Sequence, residues 1–187
     1  MTTTYRLNRH DIITDVSGPW DEFALENDGQ EAVADNVLNR PIWDFIHEFE
    51  VCAYLAAVFS TSRQFSETIE LPYRCDSPKT RRIFSMKVFP LANFGLEVIH
   101  TLQRQVAFSN TRAESLELLA LHSTKRCSIC CALKVNNTWI DMTVRPKGFE
   151  FPRGLGLCDK CKKERIVAIK NVVVLNAGQR VRRNISA

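Results

Sequence analysis

The chain has 187 residues, of which 45% are hydrophobic and 25% are charged. This composition is ordinary for a globular protein, and it excludes wholesale disorder, collagen-like repeats and a small disulfide-rich scaffold. No apolar run approaches the roughly 18–20 residues that span a bilayer, and the first ten residues lack the apolar centre of a secretory signal. The sequence therefore predicts a soluble, cytoplasmic protein.

The net charge of +4 conceals two regions of opposite sign. Residues 1–122 carry a net charge of −6, whereas residues 123–187 carry +10 and contain five of the seven cysteines. A coincident change in charge and cysteine content indicates a domain boundary. We therefore predict a first domain over residues 5–106, a connector helix over 107–124 and a cysteine module over 125–187 that ends in a basic strand and tail.

Helical and extended patterns alternate along the first region. A short strand that ends at Gly18 precedes a short helix over residues 20–27, and Pro41 opens a further helical turn. A longer helix is predicted over residues 48–62, because apolar residues recur there at three- and four-residue steps. An antiparallel meander of three alternating strands is then predicted over residues 67–75, 82–89 and 96–102.

The residues of this region resemble a subgroup of bacterial PAS sensor domains. The matching segments are WDEFALEN at residues 20–27, VLNRPIWDFI at residues 37–46 and LPYRCDSP at residues 71–78. One departure is Asn39, where the subgroup usually has glycine, and it is mild because asparagine tolerates left-handed backbone. The resemblance implies an α+β fold in which a PAS-like antiparallel sheet is flanked by helices.

A PAS-like domain encloses either a packed core or a ligand pocket between its helices and its sheet. The residues that would line a pocket are Trp43, Tyr54, Val58, Arg74 and Met86. Apolar residues at helical spacing more commonly form a core, whereas a pocket needs a few polar groups among them. The charged residues Arg74, Asp76 and Arg82 are either such polar groups or a structural ion-pair network.

Some PAS domains bind haem through a histidine, and His47, close to the start of the longer helix, is the best-placed candidate. A histidine at such a position is more often a surface or capping residue. The sequence therefore leaves the PAS ligand unknown, with haem through His47 as one option.

The second region contains two C-x2-C pairs, Cys127 with Cys130 and Cys158 with Cys161. Two such turns supply four thiolates to a tetrahedral ion, and soft thiolate ligands suit zinc. A redox-active dithiol and a four-thiolate iron–sulfur centre stay as alternatives, whereas structural disulfides are disfavoured in a reducing cytosol. The neighbouring Cys131 is interpreted as a small buried apolar residue.

The same segment resembles a module that ends many bacterial signalling proteins, including PAS proteins of the subgroup above. The matching parts are the first cysteine pair, Trp139 and residues 154–161. Residues 152–156 stand where the module usually has a histidine, so no histidine role is carried over. The resemblance implies the same four metal ligands and a regulatory setting.

Three functions follow from these patterns. The first is a non-enzymatic signalling protein, in which the PAS-like domain senses or dimerises and the zinc module binds a partner protein. A closed four-cysteine shell leaves no position for water, so no enzymatic activity is expected. The basic second region keeps open a nucleic-acid-binding regulator, and the cysteine pairs keep open a thiol redox sensor. No membrane partner is expected.

Overall fold

The computed structural model describes residues 1–27, 29–77, 79–110, 123–142, 144–145, 149–152, 154–164 and 167. Within them, a five-stranded antiparallel sheet with helices on one face precedes a smaller four-stranded sheet that carries the cysteine pairs. The fold is therefore mixed α and β, with mostly antiparallel pairing and few helices. Among these residues, no helix combines the length and the apolarity that crossing a membrane requires.

The large sheet contains the strands β1 (Thr2–Leu7), β2 (Ile13–Ser17), β3 (Ile69–Arg74), β4 (Thr80–Pro90) and β5 (Leu96–Ala107). Their order across the sheet is β2-β1-β5-β4-β3, and each neighbouring pair is antiparallel. The helices α1 (Trp20–Leu25), α2 (Ala34–Val37) and α3 (Phe49–Phe65) lie between β2 and β3 in the chain, with short 3-10 turns at Gln30–Ala32 and Ile42–Phe45.

The structure confirms the predicted short helix, the longer helix and the three meander strands. The sequence prediction missed β1, which lies between β2 and β5. The side chains of Thr3, Tyr5 and Leu7 are buried and alternate with more exposed neighbours, so β1 has the period of a half-buried strand. The polar Thr3 concealed this period, because its hydroxyl does not read as apolar in the sequence.

One hydrophobic core fills the space between α3 and the large sheet. Val58 and Phe59 from α3 pack there with Val88 and Val98 from the sheet, and all four are almost fully buried. The Phe59 ring lies 5.8 Å from the ring of Trp43, measured between centroids. The apolar stripe that predicted α3 is thus the face that it buries.

Two residues with positive φ fix the connections around β2. Gly18 ends this strand at φ +77°, and a Cβ atom there would lie 2.2 Å from the carbonyl oxygen of Thr2. Asn39 has φ +61°, and its N–H donates to the carbonyl of Ile13 at 2.8 Å. The left-handed backbone expected at Asn39 is therefore confirmed.

The small sheet has the order β11-β7-β8-β9 and contains β7 (Ser123–Cys127), β8 (Leu133–Val135), β9 (Thr138–Ile140) and β11 (Gly154–Gly156). Strand β11 runs parallel to β7, and the other neighbours are antiparallel. A separate parallel pair joins β6 (Ser109–Asn110) to β10 (Val144–Arg145). Residues 159–164 are helical and follow β11 directly.

Two predicted elements fall largely outside the described residues. The connector helix predicted over 107–124 coincides with the undescribed residues 111–122, while its described ends belong to β5, β6 and β7. The strand predicted over 165–175 has one described residue, Val167, which is helical.

One histidine of the large sheet is packed among aromatic rings. His100 on β5 stacks on Tyr5 at 5.7 Å between centroids, and its Nδ1 lies 2.8 Å from the hydroxyl of Tyr73. Burial lowers the pKa of His100 from 6.5 to about 4. His100 is therefore neutral in the folded protein at pH values at which the same residue in the unfolded chain takes up a proton.

We expect His100 to make the protein less stable as the pH falls from 7 to 5.5. In this range the unfolded chain binds a proton that the folded protein does not, which lowers the free energy of unfolding by about 1 kcal/mol. Urea unfolding at both pH values measures the difference, and His100→Gln should reduce it by about that amount. The exposed His47 provides the control variant His47→Gln. If the free energy of unfolding of His100→Gln changed between the two pH values as much as that of the wild type, other groups would be responsible for the pH response.

Candidate metal centre

The sulfur atoms of Cys127, Cys130, Cys158 and Cys161 form one cluster, in which all lie within 4.8 Å of one another. The Sγ atoms of Cys130 and Cys158 are 3.7 Å apart. A tetrahedral zinc ion with Zn–S bonds of about 2.3 Å places its sulfur ligands about 3.8 Å apart. The cluster thus has the separation that a four-thiolate metal centre requires, and all seven cysteines are free thiols.

The first cysteine pair is held by a tight turn at the end of β7. Cys127 is the last residue of that strand, and its N–H donates to the carbonyl of Ala132 at 2.8 Å. The N–H of Cys131 donates back to the carbonyl of Cys127 at 3.0 Å, and Cys131 has φ +57°. These bonds fold the chain back on itself, so Cys130 lies beside Cys127.

The second pair is placed by β11 and the helical residues that follow it. Gly156 pairs with Cys127 across the two parallel strands, which brings Cys158 next to the first pair. The N–H of Cys158 donates to the Sγ of Cys127, and the N–H of Cys161 donates to the Sγ of Cys158, each at 3.4 Å. Backbone donors aimed at sulfur favour the thiolate form that binds metal.

The electrostatics of the cluster concentrate negative charge on one sulfur atom. Hydrogen bonds from the thiols of Cys130 and Cys161 hold the pKa of Cys127 far below its usual value. The same contact with Cys127 raises the pKa of Cys130 to about 12 and also raises the pKa of Cys161. A cation that takes all four sulfurs as thiolates displaces the protons that the thiols carry, including those of Cys130 and Cys161.

The cluster is nearly closed to solvent. Cys127, Cys158 and Cys161 are buried, while Cys130 is half-buried. Cys130, Cys158 and Cys161 line, together with Trp139, a groove of about 670 Å³. Among the residues that the structure describes, four sulfur donors and no oxygen or nitrogen ligand form the cluster. Such a set, in a mostly buried position, fits a structural metal ion with no open coordination position.

The spare cysteine has a role that the sequence did not indicate. Cys131 is buried, as predicted, but its thiol donates to the backbone carbonyl of Arg74 at 3.3 Å, so it faces the large sheet. The N–H of Arg74 in turn donates to the carbonyl of Ile129 at 2.7 Å. The first cysteine turn is therefore attached to the end of β3.

The charged residues near the end of β3 form an ion-pair network. The guanidinium of Arg74 is bonded to the carboxylate of Asp76, and its Nη1 lies 2.7 Å from Oδ1 of Asp141. The N–H of Arg82 donates to Asp76 at 3.0 Å, and its guanidinium donates to the carbonyl of Cys75 at 2.6 Å. Of the two interpretations of Arg74, Asp76 and Arg82, the structure therefore shows the ion-pair network. Asp141 extends this network to the cysteine module.

Four of the five residues predicted to line a ligand pocket lie together in the structure, and the fifth, Arg74, does not join them. Trp43, Tyr54, Val58 and Met86 belong to, or pack against, the hydrophobic core. Arg74 lies apart from them, in the ion-pair network beside the cysteine module. The haem candidate His47 is exposed in the segment before α3 and lies outside that core.

Comparison of the chain with protein-family models, with curated proteins and with solved structures gives no match.

Proposed function

We propose that the chain is a cytoplasmic, non-enzymatic regulatory protein, in which a PAS-like sensor domain is joined to a structural zinc centre and acts by binding a partner protein. The observation that carries the zinc centre is the convergence of four sulfur atoms from two C-x2-C turns. Zinc is preferred over other ions because four thiolates and a closed shell are typical of its structural sites.

Support for the PAS-like domain comes from the order of its elements. A pair of strands, three helices and three antiparallel strands follow one another, and the helices cover one face of the sheet. Apart from β1, this is the order of elements that accompanies the resemblance of residues 20–27, 37–46 and 71–78 to PAS domains. A sensing or dimerising role of the domain is part of the proposal.

The nucleic-acid alternative is weakened by the ion pairs of the cysteine module. Lys162 lies 2.6 Å from Glu50, Lys125 lies 3.8 Å from Glu48, and Lys160 lies 3.8 Å from Glu164. A lysine held by a glutamate offers less charge to a phosphate backbone than a free lysine does. These three lysines of the described part of the module are therefore less available to nucleic acid.

The metal content of the native protein tests the proposal directly. We expect one zinc per chain by inductively coupled plasma mass spectrometry and a visible absorption spectrum without bands, because zinc is colourless and the chain needs no chromophore. A zinc-free protein with four reactive thiols would instead indicate the thiol redox sensor, and visible bands would indicate an iron–sulfur centre or haem.

Binding to random duplex DNA separates the partner-protein proposal from the nucleic-acid alternative. We expect no change in the fluorescence anisotropy of a labelled duplex at about 50 mM salt, where phosphate contacts are strong. Binding that weakens steeply between about 50 and 200 mM salt would support the nucleic-acid regulator instead.

A further inference from the structure

Each cysteine turn of the metal centre is in contact with a different element of the first domain. The first turn contacts the end of β3, through Arg74, and the second contacts the start of α3, through Glu50. We call these the β3 contact and the α3 contact. Since α3 and β3 follow one another in the chain and pack on the same core, the cluster holds both boundaries of one helix–strand unit.

The α3 contact is formed by residues on both sides of the second cysteine pair. Oε2 of Glu50 accepts the N–H of Leu157 at 3.3 Å, and Oε1 accepts Nζ of Lys162 at 2.6 Å. Leu157 immediately precedes Cys158, and Lys162 immediately follows Cys161. Glu50 lies in the first turn of α3, so the second cysteine pair is fixed to the beginning of that helix.

The β3 contact is formed within the first cysteine pair. The carbonyl of Ile129, which lies between the two cysteines, accepts the N–H of Arg74 at 2.7 Å. The thiol of Cys131 donates a hydrogen bond to the carbonyl of Arg74. The carboxylate of Asp141 accepts a hydrogen bond from the guanidinium of Arg74. Both polar groups of the Arg74 backbone on this edge of the sheet are thereby satisfied by the cysteine turn.

Apolar contacts accompany both sets of hydrogen bonds. Leu157 is buried in the core of the first domain, and Ile129 packs against that core. The cysteine turns therefore supply side chains to the hydrophobic core as well as ligands to the cluster. A change in the shape of either turn withdraws an apolar side chain from the first domain.

From these contacts we propose that metal binding by the cysteine cluster orders the start of α3 and the end of β3, so that the metal centre is a conformational switch for the first domain. The inference rests on the proposed function, because it requires zinc at the cluster. Metal ligation fixes the shape of small cysteine turns, which otherwise lose their folded structure. Linkage makes this coupling reciprocal. The factor by which zinc binding stabilises the α3 contact or the β3 contact is the factor by which loss of that contact lowers the affinity of the cluster for zinc.

Hydrogen exchange of the full chain, zinc-loaded and zinc-stripped with a chelator, tests the switch. Peptides that cover residues 48–55 and 70–76 should exchange at least about tenfold faster after zinc removal, while peptides from β1 and β2 change little. Equal exchange in the two states, with one zinc bound per chain in the loaded state, overturns the inference and leaves the proposed function standing. Failure of the chain to bind zinc overturns both.

Affinity for zinc in competition with a chelator gives a second measurement that does not depend on a folded zinc-free state. Glu50→Gln should weaken zinc binding about threefold, because it removes the charge of the α3 contact, and Asp141→Asn should do the same at the β3 contact. The double variant should weaken zinc binding about tenfold. Both substitutions keep all four ligands, so the loss of affinity reports on the contacts alone. Glu70→Gln is the matched control, since the Glu70–Lys87 pair is similarly exposed, with atoms 3.2 Å apart, but lies wholly within the large sheet. Wild-type affinity in the double variant contradicts the switch.

Discussion

Replacing Cys127 with serine is expected to weaken zinc binding strongly. Cys127 is fully buried, ends β7 and accepts a backbone N–H at its sulfur, so it is central to the cluster. Structural zinc contributes an apparent binding free energy of about 10–16 kcal/mol in zinc-finger peptides, and loss of one of four ligands removes a large part of it. We expect zinc affinity to fall by more than about 100-fold, as measured by chelator competition.

The adjacent Cys131 provides a matched control for this variant. Cys131 is also buried, but its thiol donates to a backbone carbonyl, and a serine hydroxyl at the same position keeps a donor. Cys131→Ser should therefore retain one zinc per chain. Loss of zinc from Cys131→Ser together with its retention in Cys127→Ser would show that the ligand set is wrong.

Replacing Asp76 with alanine is expected to lower the free energy of unfolding by about 3–5 kcal/mol. The Asp76 side chain is fully buried and receives hydrogen bonds from the Arg74 guanidinium and the Arg82 backbone. Removal of the carboxylate leaves the buried Arg74 guanidinium without one of its two charge partners and the Arg82 N–H without its acceptor. Each of these losses lowers the free energy of unfolding. Urea unfolding of the zinc-loaded protein at constant pH measures the effect.

An exposed aspartate provides the control for the loss of a carboxylate. Asp15 lies 3.9 Å from Arg6, and both side chains are 52% exposed. Asp15→Ala should change the free energy of unfolding by less than about 0.5 kcal/mol, because surface ion pairs contribute little. Equal effects of Asp76→Ala and Asp15→Ala would mean that the network at the end of β3 does not stabilise the fold.

The division of charge along the chain acquires a physical explanation from the ion pairs. Glu48 and Glu50 at the start of α3 belong to the acidic region, and their partners Lys125 and Lys162 belong to the basic one. The opposite net charges therefore attract the cysteine module to the first domain as well as marking a boundary between them. The net charge of the whole chain does not indicate this contact, because the charges of the two regions largely cancel in the sum.

Local patterns in the sequence were sufficient for the elements that depend on local physics. The helical period of apolar residues predicted α3, and the two C-x2-C pairs predicted the four clustered cysteines, because one tetrahedral ion takes the ligands of two such pairs. The left-handed backbone of Asn39 was predictable for the same reason. The strand β1 was missed because Thr3, on its buried face, is polar in the sequence.

Contacts between distant parts of the chain could not be predicted in this way. Arg74 and Asp141 are separated by 67 residues, and Glu50 and Lys162 by 112. Neither pair has a local signature, since charged residues in a sequence are usually solvated. From the sequence, Arg74 is either a polar group of a ligand pocket or part of an ion-pair network, and only the position of the cysteine module shows that it also belongs to the contact with that module.

X-ray absorption at the zinc edge of the native, full-length protein tests the central claim most directly. Four cysteine ligands predict a single coordination shell of four sulfur atoms at about 2.3 Å and no nitrogen or oxygen neighbour. A shell with fewer than four sulfurs, or one that contains nitrogen or oxygen ligands, would contradict a closed structural site formed by Cys127, Cys130, Cys158 and Cys161.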